Sequence, residues 1–521
     1  MRRDAMMRRL AERDRPWDFV VIGGGATGIG TAIDAASRGY DVAVLEQNDF
    51  GKGTSSRSTK LIHGGVRYLQ QGNIPLVMEA LKERGVIRRN APHLVRELPF
   101  VVPNYQWWEA PFYGIGMRVY DALAGKYGFG GSRNLTREET VERIPTIEQA
   151  GLRGGVIYHD GQFDDARLLI HMVMTAAEQG AVPVNYVRVT QLEKNADGFV
   201  SGVRAIDSET GSELQVPARV VINATGVFSD AVRRMDDPAA PSIIRPSQGV
   251  HIVLDRAFLP GDSAIMVPHT DDGRVLFAIP WHDRVLIGTT DTPVDEVSLE
   301  PVARTDEVEF LISHAVRYLT RDPTRSDVLS VFAGLRPLVA GSASDTSALS
   351  REHSILVSRS GMLTVAGGKW TTYRKMAEDA VDYAATLAGL EPRACVTRDL
   401  NIHGFLPAAA RYQERAHYGS DAGDVEALIG SSPRMSERLH PRLPFHAGEV
   451  AWAAREEMAR TVDDVLARRT RALLFDARAA GEAAPRVAAL LAQELGRDAD
   501  WEREQVEVFS GIVAKHLPSE G

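Results

Sequence analysis

Gly23-Gly24-Gly25-Ala26-Thr27-Gly28 follows the apolar run Phe19-Val20-Val21-Ile22, and residues in this order can cradle a pyrophosphate. In a G-x-G-x-x-G spacing Gly23 permits the tight turn and Gly25 lets the backbone approach the phosphates. Gly28 lets the next helix pack closely on the strand. That helix begins with free N–H groups aimed at the anion. Val42 to Leu45 reads as a second strand, and it ends in Glu46, placed to accept hydrogen bonds from ribose hydroxyls. A carboxylate there disfavours a 2′-phosphate. Glycine turns also occur for structural reasons alone, but here strand, glycines, helix, strand and acid fall in order within one βαβ-sized unit. A dinucleotide site is expected.

Two later strands also end in small-residue turns. Val220-Val221-Ile222 runs into Asn223-Ala224-Thr225-Gly226, and Val365-Ala366 runs into Gly367-Gly368-Lys369, ahead of a helical stretch from Thr371 to Leu387. A flavin dinucleotide is long and needs backbone approach at several strand ends of one sheet. Ala224, Gly226 and Gly368 therefore join the expected cofactor set, and FAD is favoured over NAD. A helix starting at Thr371 would turn its positive end toward the flavin and stabilise a reduced anion. Arg336, in the turn Gly334-Leu335-Arg336-Pro337, and Lys369, at a strand end, suit a phosphate dianion, which an Arg fork and a Lys point charge hold well. His251 lies in the apolar strand Gly249 to Val253. An imidazole there is either a hydrogen-bonded core residue or a base for a substrate hydroxyl, with His63 its competitor for that role. No catalytic triad, Walker loop or metal-ligand cluster appears, and no metal is expected.

The elements that must position these groups are those of a large globular chain. Its 521 residues, 44% hydrophobic and 25% charged, exceed a single domain and provide a substantial core. Lys+Arg 60 against Asp+Glu 69 leaves a net charge of −9, which argues against nucleic acid and requires a local cation cluster for any anionic ligand. The single cysteine, Cys395, excludes an internal disulfide and a thiolate metal site. Met1 to Arg15 is Arg-rich without an apolar core, unlike a secretory signal, and no window reaches the roughly 18 apolar residues of a spanning helix.

Along the chain, Asp41 to Glu46 and Ala218 to Ala224 read as buried parallel strands. Val184 to Asp207 alternates short strands about a turn at Asp197-Gly198, and Ile243 to Thr290 reads as an antiparallel platform. The stretch Glu449 to Phe475 sets Val450, Ala454, Met458, Val462, Val465 and Leu466 on one helical face with Arg and Glu elsewhere. Val487 to Leu495 repeats the habit after Pro485. Gly341 to Ser344 reads as a loop. Trp107, Trp108, Phe112, Tyr113, Met117 and Arg118 form an aromatic stretch that could sit at a membrane interface, but burial in a cap domain is expected.

Thr54-Ser55-Ser56-Arg57-Ser58-Thr59-Lys60-Leu61-Ile62-His63-Gly64-Gly65-Val66-Arg67-Tyr68-Leu69 resembles the signature of FAD-dependent, quinone-linked glycerol-3-phosphate dehydrogenases. Gly334 to Pro337 and Gly367 to Arg374 resemble two further blocks of that family, with Trp370 standing where an aliphatic residue is usual. Glu449 to Arg471 resembles its helical C-terminal domain. The resemblance implies an α/β fold: a glutathione-reductase-like FAD-binding domain (1–75, 156–235, 331–398), an α+β substrate cap (76–155, 236–330) and an all-α C-terminal domain (399–521). It implies non-covalent FAD and oxidation of sn-glycerol 3-phosphate to dihydroxyacetone phosphate by hydride transfer from C2. It further implies electrons passed to membrane quinone, and a cytoplasmic protein held peripherally at the inner face of the cell membrane, with a homodimer allowed. By the same resemblance Ser58, Lys60, Leu61, Val187, Lys369 and Thr371 line the FAD cleft. Arg67, Tyr68, His251, Arg336, Arg351 and Lys369 surround the substrate, with His251, Arg336 and Lys369 catalytic. An oxygen-using glycerol-3-phosphate oxidase and a non-catalytic FAD sensor remain the alternatives.

Overall fold

The computed structural model describes residues 1–70, 72–268, 270, 274–340 and 353–518, with the backbone alone at Arg67 and Gln70. Arg351 and the loop read at Gly341 to Ser344 lie outside these residues.

Strand Trp17–Ile22 is almost wholly buried, as an apolar run flanked on both sides must be. It pairs in parallel with Val42–Leu45 on one side and Glu213–Asn223 on the other, with Phe19 opposite both Val42 and Val220. The sheet continues in the order 353–357, 363–367, 213–223, 17–22, 42–45, 182–184, and a meander from Val187 to Asp207 hangs from the long strand Glu213–Asn223. The helix Ala26–Ser37 covers one face through Ile29, Ala32, Ile33, Ala35 and Ala36, all buried. The turns at Gly23, Ala224 and Gly367 therefore gather at one edge of this layer, where strand ends leave a crevice.

The second sheet is mostly antiparallel, as read for Ile243 to Thr290. Its longest pairings join Val95–Asn104 to Gly154–Phe163 and Ile244–Asp255 to Ser330–Val339. Two expected domain limits fall inside these pairings: Gly154–Phe163 and Ser330–Val339 both belong wholly to the second sheet. The register sets the site, because Ser247 faces Arg336 and His251 faces both Phe332 and Gly288. A Cβ at Gly249 would lie 2.3 Å from the Arg336 guanidinium, so only glycine leaves that side chain room. The short strand Leu61–Ile62 joins this sheet beside Gly161 and Gln162. The segment Thr54 to Leu61 thus crosses from one layer to the other.

The C-terminal region is helical, but not as one continuous face from Glu449. Helix Ala447–Glu456 stops, Met458 and Arg471 take left-handed φ of 55° and 61°, and a π-helical turn, Asp464–Arg469, intervenes before Ala472–Phe475. Helix Ala477–Leu495 then runs straight through Pro485, held by buried Ala479, Ala480, Ala483, Ala484, Val487 and Ala488. This domain packs on the second sheet, with the Trp281 and Phe475 rings stacked at 4.8 Å. Among the described residues, no helix is long and apolar enough to cross a membrane.

Candidate functional site: two adjoining cavities

Gly23 has φ +109°, and a Cβ there would meet the Ala224 carbonyl oxygen at 2.7 Å. At Gly28 a Cβ would lie 2.0 Å from the Gly23 carbonyl oxygen, so this glycine serves the packing of helix on turn rather than the cleft itself. Gly25 differs. It is the N-cap of helix Ala26–Ser37 and has no side chain with which to cap it, Ser55 Oγ accepts the Ala26 N–H at 3.0 Å, and a Cβ at Gly25 would have one neighbour within 4 Å, the same Ser55 Oγ at 3.1 Å. A helix start whose N-cap position carries no side chain, beside open space, is what a pyrophosphate requires.

That space is an open cleft. Gly23, Gly25, Glu46, Val187, Ala224, Gly226, Gly368 and Lys369 all line it, as expected from the sequence. Glu46 and Val187 stand at one end of the first sheet's edge, and Gly368 and Lys369 lie across the central strand from them. The Glu46 carboxylate accepts the N–H groups of Gly24 at 2.6 Å and Asn48 at 2.9 Å, which binds it to the turn as well as turning it toward the cleft. Burial pushes its pKa up, and those two backbone donors oppose the shift. The remaining expected cleft residues lie elsewhere. Thr371 is buried in the 3₁₀ turn ahead of helix Tyr373–Leu387. Ser58 gives its hydroxyl and N–H to Asp165. Lys60 is fully buried, with Nζ 2.7 and 2.8 Å from the Asp165 carboxylate oxygens and 2.7 Å from the Ser56 carbonyl. A buried ammonium must be paired, so Lys60 staples the crossing segment and does not line the cleft. Leu61 belongs to the second cavity. Trp370 lines the cleft and donates its indole N–H to the Ser55 carbonyl at 2.9 Å.

The second cavity lies on the platform sheet. Thr59, His63, Tyr68, Asp160, Arg274, Thr289, Asp291 and Arg336 supply its polar lining. The Arg336 fork is fixed by Asp291 Oδ1 at 3.2 Å and by Thr289 Oγ1 and the Thr290 carbonyl, each at 3.1 Å. Lys369, from the first cleft, holds its ammonium 3.8 Å above the ring of Tyr68, from the second. This contact joins the two cavities.

His251 takes the first of the two places read for it, a hydrogen-bonded core residue, and not the catalytic one that the resemblance implied. It is 2% exposed, stacks on Phe332 at 4.9 Å and bonds through Nε2 to Thr59 Oγ1 at 2.9 Å, so it sits behind the cavity wall. Burial, then Arg336 and Lys60, hold its pKa well below the ordinary value. Among the described residues, His63 is the imidazole that lines the cavity. The Arg67 backbone lies in helix Val66–Gln70 beside it. Sequence reasoning missed Arg274, Asp291 and Thr59. Asp271-Asp272-Gly273 is a turn signal, and a cation directly after it, Arg274, could have been weighed as a group presented at a hairpin tip.

A profile described as FAD dependent oxidoreductase matches residues 18–374, and one described as the C-terminal domain of alpha-glycerophosphate oxidase matches residues 363–503. The mitochondrial glycerol-3-phosphate dehydrogenases of Homo sapiens and Macaca fascicularis are each 40% identical to this chain over 526 residues, covering 94% of it and 72% of each relative. The chain belongs to the FAD-dependent glycerol-3-phosphate dehydrogenases. The structure of the Bacillus halodurans glycerol-3-phosphate dehydrogenase complexed with FAD superposes with a TM-score of 0.81 at 28% identity, covering 100% of this chain and 98% of that one. Glycine oxidase from Geobacillus kaustophilus, at TM-score 0.54, 19% identity and 74% and 98% coverage, shares the fold alone. FAD is the cofactor of this family, and the helix start with glycine at its N-cap, Gly25, and the turns at Ala224 and Gly368 fit it. Membership sets aside the non-catalytic sensor.

Proposed function

We propose that this protein oxidises sn-glycerol 3-phosphate to dihydroxyacetone phosphate and passes the electrons to a membrane quinone. The observation that carries this reading is the cation pair Arg336 and Arg274 in a cavity joined to the cofactor cleft by the Lys369–Tyr68 contact. In a chain of net charge −9, cations at a cavity wall call for an anionic ligand. The two arginines hold the phosphate, and Lys369 supplies a point charge at the junction. Bound FAD supplies the two-electron acceptor. The C2 hydrogen leaves with its electron pair as a hydride, the C2 hydroxyl proton goes to His63, and the C2–O bond becomes the carbonyl. His251 fixes the hydroxyl of Thr59 against the substrate. On anaerobic mixing, glycerol 3-phosphate is expected to bleach the flavin absorbance rapidly, whereas glycerol bleaches it only slowly. A short-chain quinone then restores the absorbance faster than oxygen does. A flavin that stays oxidised with glycerol 3-phosphate sinks the substrate assignment. Stoichiometric peroxide with no quinone reduction moves the protein to the oxidase reading.

We also propose a peripheral attachment through helix Glu109–Ala124, keeping the body of the chain in the cytoplasm at the inner face of the cell membrane. The expected burial of the aromatic stretch holds for Tyr113 and Met117 only. Trp107 is 76% exposed, and Trp108, Phe112, Ile115 and Val119 are exposed at spacings of four, three and four along the helix, with exposed Ile74 and Met78 on the adjoining helix Ile74–Asn90. Exposed Arg118 and Lys126 flank this apolar face. Such a face suits the interfacial region of a bilayer, with tryptophans at headgroup depth. Tyr120, on its buried side, bonds Asp160 of the second cavity, which supports a short path from substrate to lipid. Ile115→Glu is expected to leave the membrane pellet while bleaching normally with glycerol 3-phosphate; unchanged sedimentation with vesicles would overturn this attachment.

A further inference from the structure

Among the described residues, nothing after Met376 lines either cavity, so the helical C-terminal domain has no direct place in the chemistry. Its buried charges point to another task. From Glu46 the chain continues through Gln47 to Gly53, and Gln47, Gly51, Lys52 and Gly53 form one wall of the FAD cleft. This wall leans on the glycine turn: the Gly51 N–H donates to the Gly24 carbonyl at 3.1 Å, and the Phe50 ring fills the space a Cβ of Gly24 would need.

Asp49 anchors the wall from below and is wholly buried. Its carboxylate accepts Arg468 Nε at 2.5 Å and both terminal nitrogens of Arg469 at 2.6 and 2.9 Å. Both arginines come from the π-helical turn Asp464–Arg469, where the Thr470 N–H reaches the Val465 carbonyl and the wider turn lets consecutive side chains converge on one carboxylate. Arg468 is itself held by Asp463 at 2.9 Å and Asp464 at 2.8 Å. The same two carboxylates reach the cleft again. Lys52 Nζ lies 3.1 Å from Asp463, and Tyr186 Oη donates to Asp464 at 2.7 Å. Tyr186 precedes the cleft residue Val187, and its N–H donates to the Asn48 carbonyl at 3.0 Å. One turn of the C-terminal domain therefore grips both the Asp49 wall and the strand start bonded to it.

We propose that the C-terminal domain is a working part of the FAD site, with Arg468 and Arg469 as positioning residues that hold the Asp49 wall in its FAD-binding form. Docking of the domain and binding of FAD are then coupled, and the coupling is reciprocal. A π-turn in an alanine-rich helical domain fits this role, because it aims two adjacent guanidinium groups at one acid. Asp49 and Arg468 also act on Glu46 electrostatically, raising and lowering its pKa respectively, behind the effects of burial and of the Gly24 and Asn48 N–H groups.

The test measures FAD dissociation from the holoenzyme. Arg469→Met is expected to raise the FAD Kd at least tenfold, and Arg469→Lys to recover part of the loss. Arg455→Met is the control. It breaks the pair of Arg455 with Glu494, both bonds at 2.7 Å, within the C-terminal domain and away from the cleft. Its Tm falls while its FAD Kd stays within twofold of wild type. Equal weakening of FAD binding by both variants, or an Arg469→Met Kd within twofold of wild type, overturns the proposal. Hydrogen exchange needs no variant: stripping FAD from wild-type protein speeds exchange at 458–470 if the two are coupled. Unchanged exchange there also overturns it.

Discussion

A Gly25→Val protein is expected to purify folded, colourless and inactive. The three fingerprint glycines differ in what a side chain would meet, and only Gly25 separates folding from cofactor binding. A side chain at Gly23 would need φ +109° and would strike the Ala224 carbonyl, and at Gly28 it would overlap the Gly23 carbonyl at 2.0 Å. Either change attacks the strand–turn–helix packing itself. Gly25 has φ −86°, ordinary for an L residue, and its Cβ has only Ser55 Oγ nearby, at 3.1 Å. The folded state should therefore lose about 1 kcal/mol, the usual order for a poor N-cap residue. The isopropyl group, however, projects where the phosphates must approach the backbone. Absorbance near the flavin bands, circular dichroism and released FAD after denaturation distinguish the outcomes. A folded yellow protein with wild-type FAD content would mean that the pyrophosphate lies elsewhere. An unfolded Gly25→Val protein would mean that the turn has no room for a branched side chain even without the cofactor.

The readable parts of this sequence were those whose determinants are close together along the chain. Strand, glycines, helix and Glu46 occupy thirty residues and needed no partner from elsewhere to be recognised. The turns at Ala224 and Gly368 were legible as small residues after apolar runs. Their convergence on one cleft came from pairings such as Trp17 with Ala218, which no local pattern displays. The harder residues were charged groups whose partners lie far away. Lys60, in a segment resembling a cofactor motif, is bonded to Asp165, 105 residues on. Arg468 and Arg469 looked like the solvated side of an amphipathic helix, yet both are buried against Asp49. Met458, Val462 and Val465 have helical spacing and are buried as expected, but the buried acids Glu457, Asp463 and Asp464 beside them find partners in Arg167, Lys52 and Tyr186 outside this domain. Satisfying those charges breaks the continuous helix that periodicity describes.

Arg336→Ala is expected to lower kcat/KM for glycerol 3-phosphate by roughly 30- to 1000-fold, the equivalent of about 2–4 kcal/mol for losing one partner of a desolvated charge pair. The position is built for recognition. Its strand register sets it opposite Ser247, Gly249 leaves space for the guanidinium, and Thr289, Thr290 and Asp291 hold the fork in one orientation at the cavity wall. Asp291 offsets part of the positive charge, so Arg336 alone is a weaker attractor than a bare guanidinium, and Arg274 is the second cation that a dianion requires. Arg336→Lys should recover only part of the loss, because an ammonium lacks the planar fork that these three partners orient. FAD content should not change, since Arg336 lies in the second cavity and not in the cofactor cleft. Slow oxidation of glycerol serves as the control, because it has no phosphate to read. Equal losses for glycerol and glycerol 3-phosphate would show that Arg336 positions the carbon skeleton or the cavity wall. Phosphate recognition would then pass to Arg274 and Lys369, with Arg67 and Arg351 the next to be replaced, and the Arg274→Ala variant should show the phosphate-selective loss in its place.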